Sequence, residues 1–132
     1  MQRGLLAVSG ILGAAAVGLG AYGAHGLEGL LEGAPEAAKR IGWWQTAVGY
    51  HLPHAVVLAV CGLLAARRSG WALGVASVGF VLGVLLFSGT LYAMALGAPR
   101  WLGAVTPLGG LSLIVAWLAL AGAALRPPPS DG

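Results

Sequence analysis

Charged side chains are scarce in this sequence. Only 8% of its 132 residues are Asp, Glu, Lys or Arg, whereas 58% are hydrophobic, and the mean hydropathy is +0.87. A soluble globular domain carries about 25% charged residues. So few charges cannot cover a water-facing surface on a chain of this length, which excludes an ordinary soluble fold. We therefore expect most of the exterior to face lipid.

Cysteine and catalytic motifs are also lacking. The single cysteine, Cys61, excludes an intrachain disulfide framework and lies in an apolar stretch, where we expect a small packed side chain. The sequence has no CxxC, no HExxH, no phosphate-binding loop and no set of nucleophile, base and acid. We therefore predict no enzymatic activity and no cofactor. The basic residues form no stripe with interleaved aromatic residues, so we expect no nucleic-acid partner.

Long uncharged windows are what the chain has instead. There are four, at approximately 4–25, 43–66, 70–96 and 102–125, and each reaches the ~20 residues that cross the bilayer as a helix. Backbone amides in lipid must pair within their own segment, which favours helices, and the alternation of a membrane barrel is missing. We predict an all-α membrane protein, an antiparallel bundle of four transmembrane helices. Residues 1–126 form its single domain, and 127–132 a disordered tail.

The ends of the windows carry their own signals. Tryptophan is enriched at membrane interfaces, and tryptophans begin the last three windows. The first window is longer than the ~7–15-residue core of a signal peptide, so we expect it to stay as a helix. In the long connection before the second window, Pro35 can open a helix and Glu36 is spaced for an ion pair with Arg40. We expect a short interfacial helix there, leading into the second span.

Basic residues set the expected orientation. Four spans place Arg3, Arg67, Arg68 and Arg126 on one side, and Lys39, Arg40 and Arg100 on the other. Positive charge favours the cytoplasmic side of a membrane protein. The first group is larger and includes the compact pair at 67–68, so we predict that both termini are cytoplasmic.

Small residues recur at a spacing of four. Gly10, Ala14 and Gly18 form one row in the first window, and the third window has the pairs 70 with 74 and 79 with 83. Small side chains let helix backbones approach closely in lipid. The rows therefore indicate packing within the bundle or, alternatively, a surface for oligomerisation or a partner helix.

Polar residues inside the windows are concentrated in one half of the predicted bundle. That half contains the ends of spans 1 and 3 and the beginnings of spans 2 and 4, and we call it the polar half. Exposing polar groups to lipid is costly, so several should face one another or a hydrated pocket. From this set we predict a ligand-binding cluster that consists of His25, Thr46, Tyr50, His51, His54, Ser88 and Tyr92.

Two histidines are central to that prediction. His54 lies 14 residues after Arg40 and 13 before Arg67, near the middle of the membrane, and His51 lies one turn outward. Pro53 removes an amide between them and favours a kink. An i, i+3 histidine pair is not specific for a metal, and no carboxylate lies at this depth. A hydrogen-bonded contact between helices, a metal site and a site for a proton or polar ligand all remain open.

Three stretches of the chain resemble a known family. They are Gly20–Leu27, Trp44–His51 with His54-Ala55, and Phe87–Tyr92 followed by Arg100–Gly110. Together they resemble the transmembrane protein 256-like family, also called the domain of unknown function 423 family. The resemblance implies a small four-span protein of the bacterial inner membrane, with no established reaction or cofactor. Pro53 departs from the residue type, often aromatic, that the family pattern has there.

These observations leave two hypotheses for function. The first is a non-enzymatic subunit that acts by helix association, with the bilayer and a second copy or a larger membrane complex as partners. The second is a binding or permeation site in the polar half for a small polar ligand, lipid, proton or metal.

Overall fold

The computed structural model describes residues 1–67 and 70–125. The described residues are mostly helical and contain no β-strand. Arg68, Arg126 and the predicted tail at 127–132 lie outside them.

Four helical spans are long and apolar enough to cross a membrane. Span 1 is α1, Gln2–His25, and the short α2, Leu27–Leu30, follows it. Span 2 is α3, Ala37–Leu64. Span 3 joins α4 (Trp71–Gly83), a π-helix (Val84–Ser88) and α5 (Gly89–Ala95). Span 4 joins a 3₁₀-helix (Arg100–Ala104) to α6 (Thr106–Ala124). The predicted all-α membrane fold is confirmed.

The spans lie next to one another in chain order. Close backbone contact joins span 1 to 2, span 2 to 3 and span 3 to 4, while the described residues of spans 1 and 4 hardly approach each other. Spans 1 and 4 are therefore the two outer helices. Ser9 contacts Ala55, and Leu19 contacts Trp44. These pairs have the order that an antiparallel arrangement requires.

One apolar cluster forms the core between spans 2, 3 and 4. Its buried members include Leu58 and Cys61 of span 2, Phe80 of span 3 and Leu113 of span 4, and Leu12 of span 1 packs at its edge. Cys61 is a buried free thiol, as its apolar surroundings in the sequence predict.

The connection between spans 1 and 2 differs from the predicted one in its details. The short helix precedes Pro35 instead of following it, and the residues after Glu36 already belong to the helix of span 2. The predicted pair between Glu36 and Arg40 is wrong. Glu36 pairs with Lys39 and with Arg100 of span 4, while the Arg40 Nε donates to the Ala95 carbonyl at 2.7 Å. Ala95 ends α5, where carbonyls have no partner within their own helix, and this leaves an acceptor for Arg40.

The closest approach between spans 3 and 4 occurs beside the π-helix. A Cβ placed on Gly109 would lie 2.3 Å from the backbone nitrogen of Phe87. Only a residue without a side chain fits that separation. A π-helix adds one residue to the local turn, and such turns are frequent near functional sites. Here the π-helix ends at Ser88, which points into the interface with span 2.

Candidate functional site

His54 is buried and both of its ring nitrogens are engaged. Nδ1 donates to the Tyr50 carbonyl at 2.6 Å, and Nε2 accepts from the indole nitrogen of Trp117 at 3.1 Å. This is the neutral tautomer with its proton on Nδ1, because a carbonyl can only accept and an indole can only donate. No lone pair of His54 is left for a metal unless the contact with Trp117 breaks. The residue therefore acts as a link from span 2 to span 4.

His51 is also buried, but only one of its two ring nitrogens has a hydrogen-bond partner among the described residues. Its Nδ1 lies 3.2 Å from the hydroxyl of Tyr92 in span 3. Its Nε2 is buried and has no hydrogen-bond partner among the described residues. An unpaired polar atom in a buried position is costly and calls for a specific explanation. His51 is thus the member of the predicted cluster that keeps a free polar atom inside the membrane.

Hydroxyl groups in the same half form short bonds between neighbouring spans. The Ser88 Oγ, fully buried, donates to the Ala47 carbonyl of span 2 at 2.8 Å. The hydroxyls of Thr90 and Thr106 lie 2.7 Å apart and join span 3 to span 4. Hydroxyl contacts of this kind hold helices together in lipid. Ser88 and these threonines are therefore structural links, because their hydroxyl groups already bond within the bundle.

Three members of the predicted cluster lie at the surface. His25 and Thr46 are exposed, and no contact joins either one to His51 or His54. Tyr50 is 46% exposed but stays near the histidines, with its ring stacked on His54 at 6.0 Å and against Phe87 at 4.6 Å. The structure thus brings together Tyr50, His51, His54, Ser88 and Tyr92, and leaves His25 and Thr46 outside.

Two tryptophans contact members of the predicted cluster although the prediction does not include them. Trp44 is 2% exposed, donates its indole N–H to the Leu19 carbonyl at 2.8 Å and packs its ring against Tyr92 at 4.7 Å. Trp117 donates to His54 and packs its edge against Phe80. Position in the window was the signal that the sequence offered. Trp117 lies inside the fourth window, which indicates packing within the bundle, whereas Trp44 lies at the start of the second window, where a tryptophan is expected at the membrane interface.

Metal ligands do not converge in the described part of the chain. No group of three His, Cys, Asp or Glu side chains there is arranged to hold an ion. Since His54 is fully hydrogen bonded, His51 is the available imidazole at this depth. The geometry supports a network of contacts that joins four pairs of spans, 1 with 2, 2 with 3, 2 with 4 and 3 with 4. Within it, the His51 Nε2 is a buried nitrogen without a hydrogen-bond partner among the described residues.

Comparison with known proteins agrees with this membrane architecture. The model of the family described as "Protein of unknown function (DUF423)" matches residues 19–110. The chain is 43% identical over 113 residues to UPF0382 membrane protein YwdK of Bacillus subtilis, covering 84% of this chain and 87% of that one. It is 40% identical over 128 residues to UPF0382 inner membrane protein YgdD of Escherichia coli, covering 95% and 92%. A UPF0382 membrane protein of Haemophilus influenzae is 37% identical over 118 residues, with 89% and 87% covered.

No solved structure matches the chain. The family match covers more than half of the sequence, and each of these relatives is aligned over most of its length. Their names describe membrane proteins and state no activity. The chain is a multi-pass membrane protein, and it belongs to the DUF423 family of proteins of unknown function.

Proposed function

We propose that this protein is a non-enzymatic membrane subunit that pairs with a second copy of itself through the outer face of span 1. The observation that carries the proposal is the position of Gly10, Ala14 and Gly18. All three are exposed on span 1, and a Cβ on either glycine would meet nothing within 4 Å. Packing within the chain, the first interpretation of all the small-residue rows, is therefore supported for Gly79 with Gly83. It is not supported for Gly10 with Gly18 or for Gly70 with Gly74.

Span 1 also exposes Ile11 and Val17, so its contrast with the other outer helix is limited to the line of Gly10, Ala14 and Gly18. Span 4 presents large side chains outward, including Leu111, Ile114 and Leu118, each more than half exposed. Such side chains suit contact with lipid tails. A row of small side chains instead lets a second helix approach closely, and because the row is self-complementary it suits a two-fold pair. We also place the protein in the bacterial inner membrane, which the name of the Escherichia coli relative supports. Both termini are cytoplasmic in this proposal, which the distribution of basic residues supports.

Native mass spectrometry from mild detergent, combined with cross-linking in the membrane, tests the pairing. The wild-type chain is expected to be a dimer, and the double variant Gly10→Leu with Gly18→Leu a monomer of unchanged thermal stability. Gly122→Leu on span 4 is the matched control, because its site is equally open, and it should remain dimeric. A monomeric wild type, or cross-links from span 1 only to other proteins, would overturn pairing with a second copy.

His51 favours a second candidate, a water-accessible polar site able to hold a small polar ligand or a proton. Its buried and unpartnered Nε2 is the specific observation. Nuclear magnetic resonance of ¹⁵N-histidine protein, with His51→Gln for assignment, tests it. Exchange with water is expected at the His51 ring and not at the His54 ring, whose nitrogens are both bonded. Equal protection of the two rings from water would rule this candidate out.

A further inference from the structure

A groove of about 430 Å³ opens between spans 2 and 4 at the polar end of span 3. Its lining includes Trp43 of span 2, Leu91 and Met94 of span 3, and Gly103 and Pro107 of span 4, with Arg100 as its charged member. The described residues of spans 2 and 4 share no extended backbone contact here, so span 3 forms the floor. The groove is therefore a lateral, mostly apolar slot within the membrane-spanning part of the molecule.

The groove is closed at its Phe87 end, toward the middle of the spans, by side chains of the candidate site. Tyr50 packs against Phe87, which also lines the groove, and further inward the bond between His54 and Trp117 bridges spans 2 and 4. Met94 lies seven residues after Phe87, so the floor between them is about 10 Å long at ~1.5 Å per residue. A slot of this length takes a chain-like apolar group that enters from the membrane surface.

Positive charge is concentrated where the groove meets that surface. Lys39 and Arg100 both lie over the Trp43 ring, at 5.3 Å and 6.0 Å from its centroid. Arg40 is close by, held on the Ala95 carbonyl. Glu36 pairs with Lys39 and Arg100 but not with Arg40, so this group of three cations and one carboxylate keeps a net positive charge.

The other acidic residues in the connection between spans 1 and 2 do not neutralise this excess of positive charge. Glu28 and Glu32 form no ion pair with these cations within residues 1–67 and 70–125. Arg100 can keep its contact with Glu36 and still accept an anion, because a guanidinium carries five N–H donors in a planar fork. Phosphate oxygens are the acceptors that suit this fork.

We propose that the groove binds a phospholipid of net negative charge, with one acyl chain in the slot and the phosphate at Arg100 and Lys39. An apolar slot that opens sideways into a bilayer and ends at interfacial cations matches an amphiphile with an anionic head. A free phosphate would leave the apolar slot unused. The proposal uses spans 2, 3 and 4 and is independent of the pairing through span 1.

Native mass spectrometry of the full chain, with added phosphatidylglycerol or phosphatidylcholine of identical acyl chains, tests this proposal. The Gly103→Leu variant fills the groove, since a Cβ there meets only the end of Met94 at 3.7 Å and causes no backbone clash. We expect this variant to weaken retention of phosphatidylglycerol about tenfold or more, because the acyl chain of the lipid loses its apolar site. Gly122→Leu, at an open site on the same span, should retain the lipid as the wild type does.

The Arg100→Gln variant tests the headgroup contact separately. Wild-type protein is expected to prefer phosphatidylglycerol over phosphatidylcholine, and this variant should lose about tenfold of that preference, as expected for a hydrogen bond to a charged group. Equal retention of the two lipids by the wild type, or full retention by Gly103→Leu, would overturn the proposal. If Gly103→Leu fails to fold in a thermal unfolding check, the headgroup preference of the wild type and of Arg100→Gln still decides the outcome.

Discussion

Gly109 of span 4 lies so close to span 3 that an added Cβ would meet the Phe87 nitrogen at 2.3 Å, whereas Gly10 and Gly18 of span 1 have nothing within 4 Å. Both outer helices are glycine-containing and apolar, yet these particular glycines point in opposite directions. On span 4 Gly109 faces inward, and large side chains such as Leu111 and Leu118 face outward. On span 1 the row of Gly10, Ala14 and Gly18 faces outward.

This difference separates two uses of glycine in a membrane protein. An inward glycine lets two backbones of the same chain touch, and its value is measured in the stability of that chain. An outward glycine adds nothing to packing within the chain and lowers the intrinsic preference for helix. Its contribution must be sought in contact with another molecule, which is why we connect span 1 with pairing.

The largest expected effect comes from placing a methyl group on the inward glycine. Gly109→Ala should lower the free energy of unfolding by about 3 kcal/mol, because backbone atoms of Leu86 and Phe87 must move away. Reversible unfolding in mixed detergent micelles measures it. The neighbouring Gly110→Ala is the matched control, since a Cβ there makes ordinary contact with the Phe87 ring at 3.7 Å. Equal decreases in the free energy of unfolding for the two variants would show that the close approach of Gly109 to span 3 does not determine the cost of an added methyl group.

An intermediate decrease in the free energy of unfolding is expected from substituting the tryptophans that attach each outer helix to span 2. Trp44→Phe should cost about 2 kcal/mol, because it removes the donor to Leu19 and leaves space in a buried position. Trp117→Phe should cost about 1 kcal/mol, because Trp117 is 46% exposed and mainly the bond to His54 is lost. The same unfolding measurement checks both. A larger loss for Trp117 would reverse the order and make the bond to His54 the stronger attachment.

The smallest effect is expected from a matched pair of serines. Ser9 of span 1 donates to the Ala55 carbonyl and Ser112 of span 4 donates to the Gly79 carbonyl, both at 2.9 Å. Hydrogen bonds between membrane helices contribute about 0.6 kcal/mol on average. Ser9→Ala and Ser112→Ala should therefore lower the free energy of unfolding by similar small amounts. A several-fold difference between them would mean that the two outer helices differ in their inner faces as well.

The position of the candidate site along the spans was predictable, but the rotation of the helices that carry it was not. Charges and windows place His51 and His54 deep in span 2, and both are buried there. Thr46 lies in the same stretch and is exposed, as is His25 at the end of span 1. A soluble helix has a polar face that reveals its rotation, but a helix that is apolar all round has no such stripe. The sequence therefore offers little to separate an inward polar residue from an outward one.

The same limit applies to the partners of the buried histidines. Trp117 is 63 residues away from His54 in the chain, and no local pattern connects an indole of span 4 with an imidazole of span 2. The open Nε2 of His51 is likewise invisible in the sequence, since its pairing depends on Tyr92 of span 3. The interfacial pair predicted between Glu36 and Arg40 failed for a related reason. Arg100, which arrives from span 4, competes for the carboxylate, and Ala95 offers Arg40 a free carbonyl.

By itself the sequence determined that this protein is a four-span helical membrane protein and where along its span each polar residue lies. It could do so because a bilayer imposes one length on every span and requires backbone hydrogen bonds to close within each segment. Only the tertiary structure decided that Gly109 faces inward and Gly18 outward, that His54 is saturated and His51 is not, and that spans 2 and 4 leave a groove between them. These outcomes depend on the rotation of each helix, which side-chain packing between distant segments sets and local sequence does not.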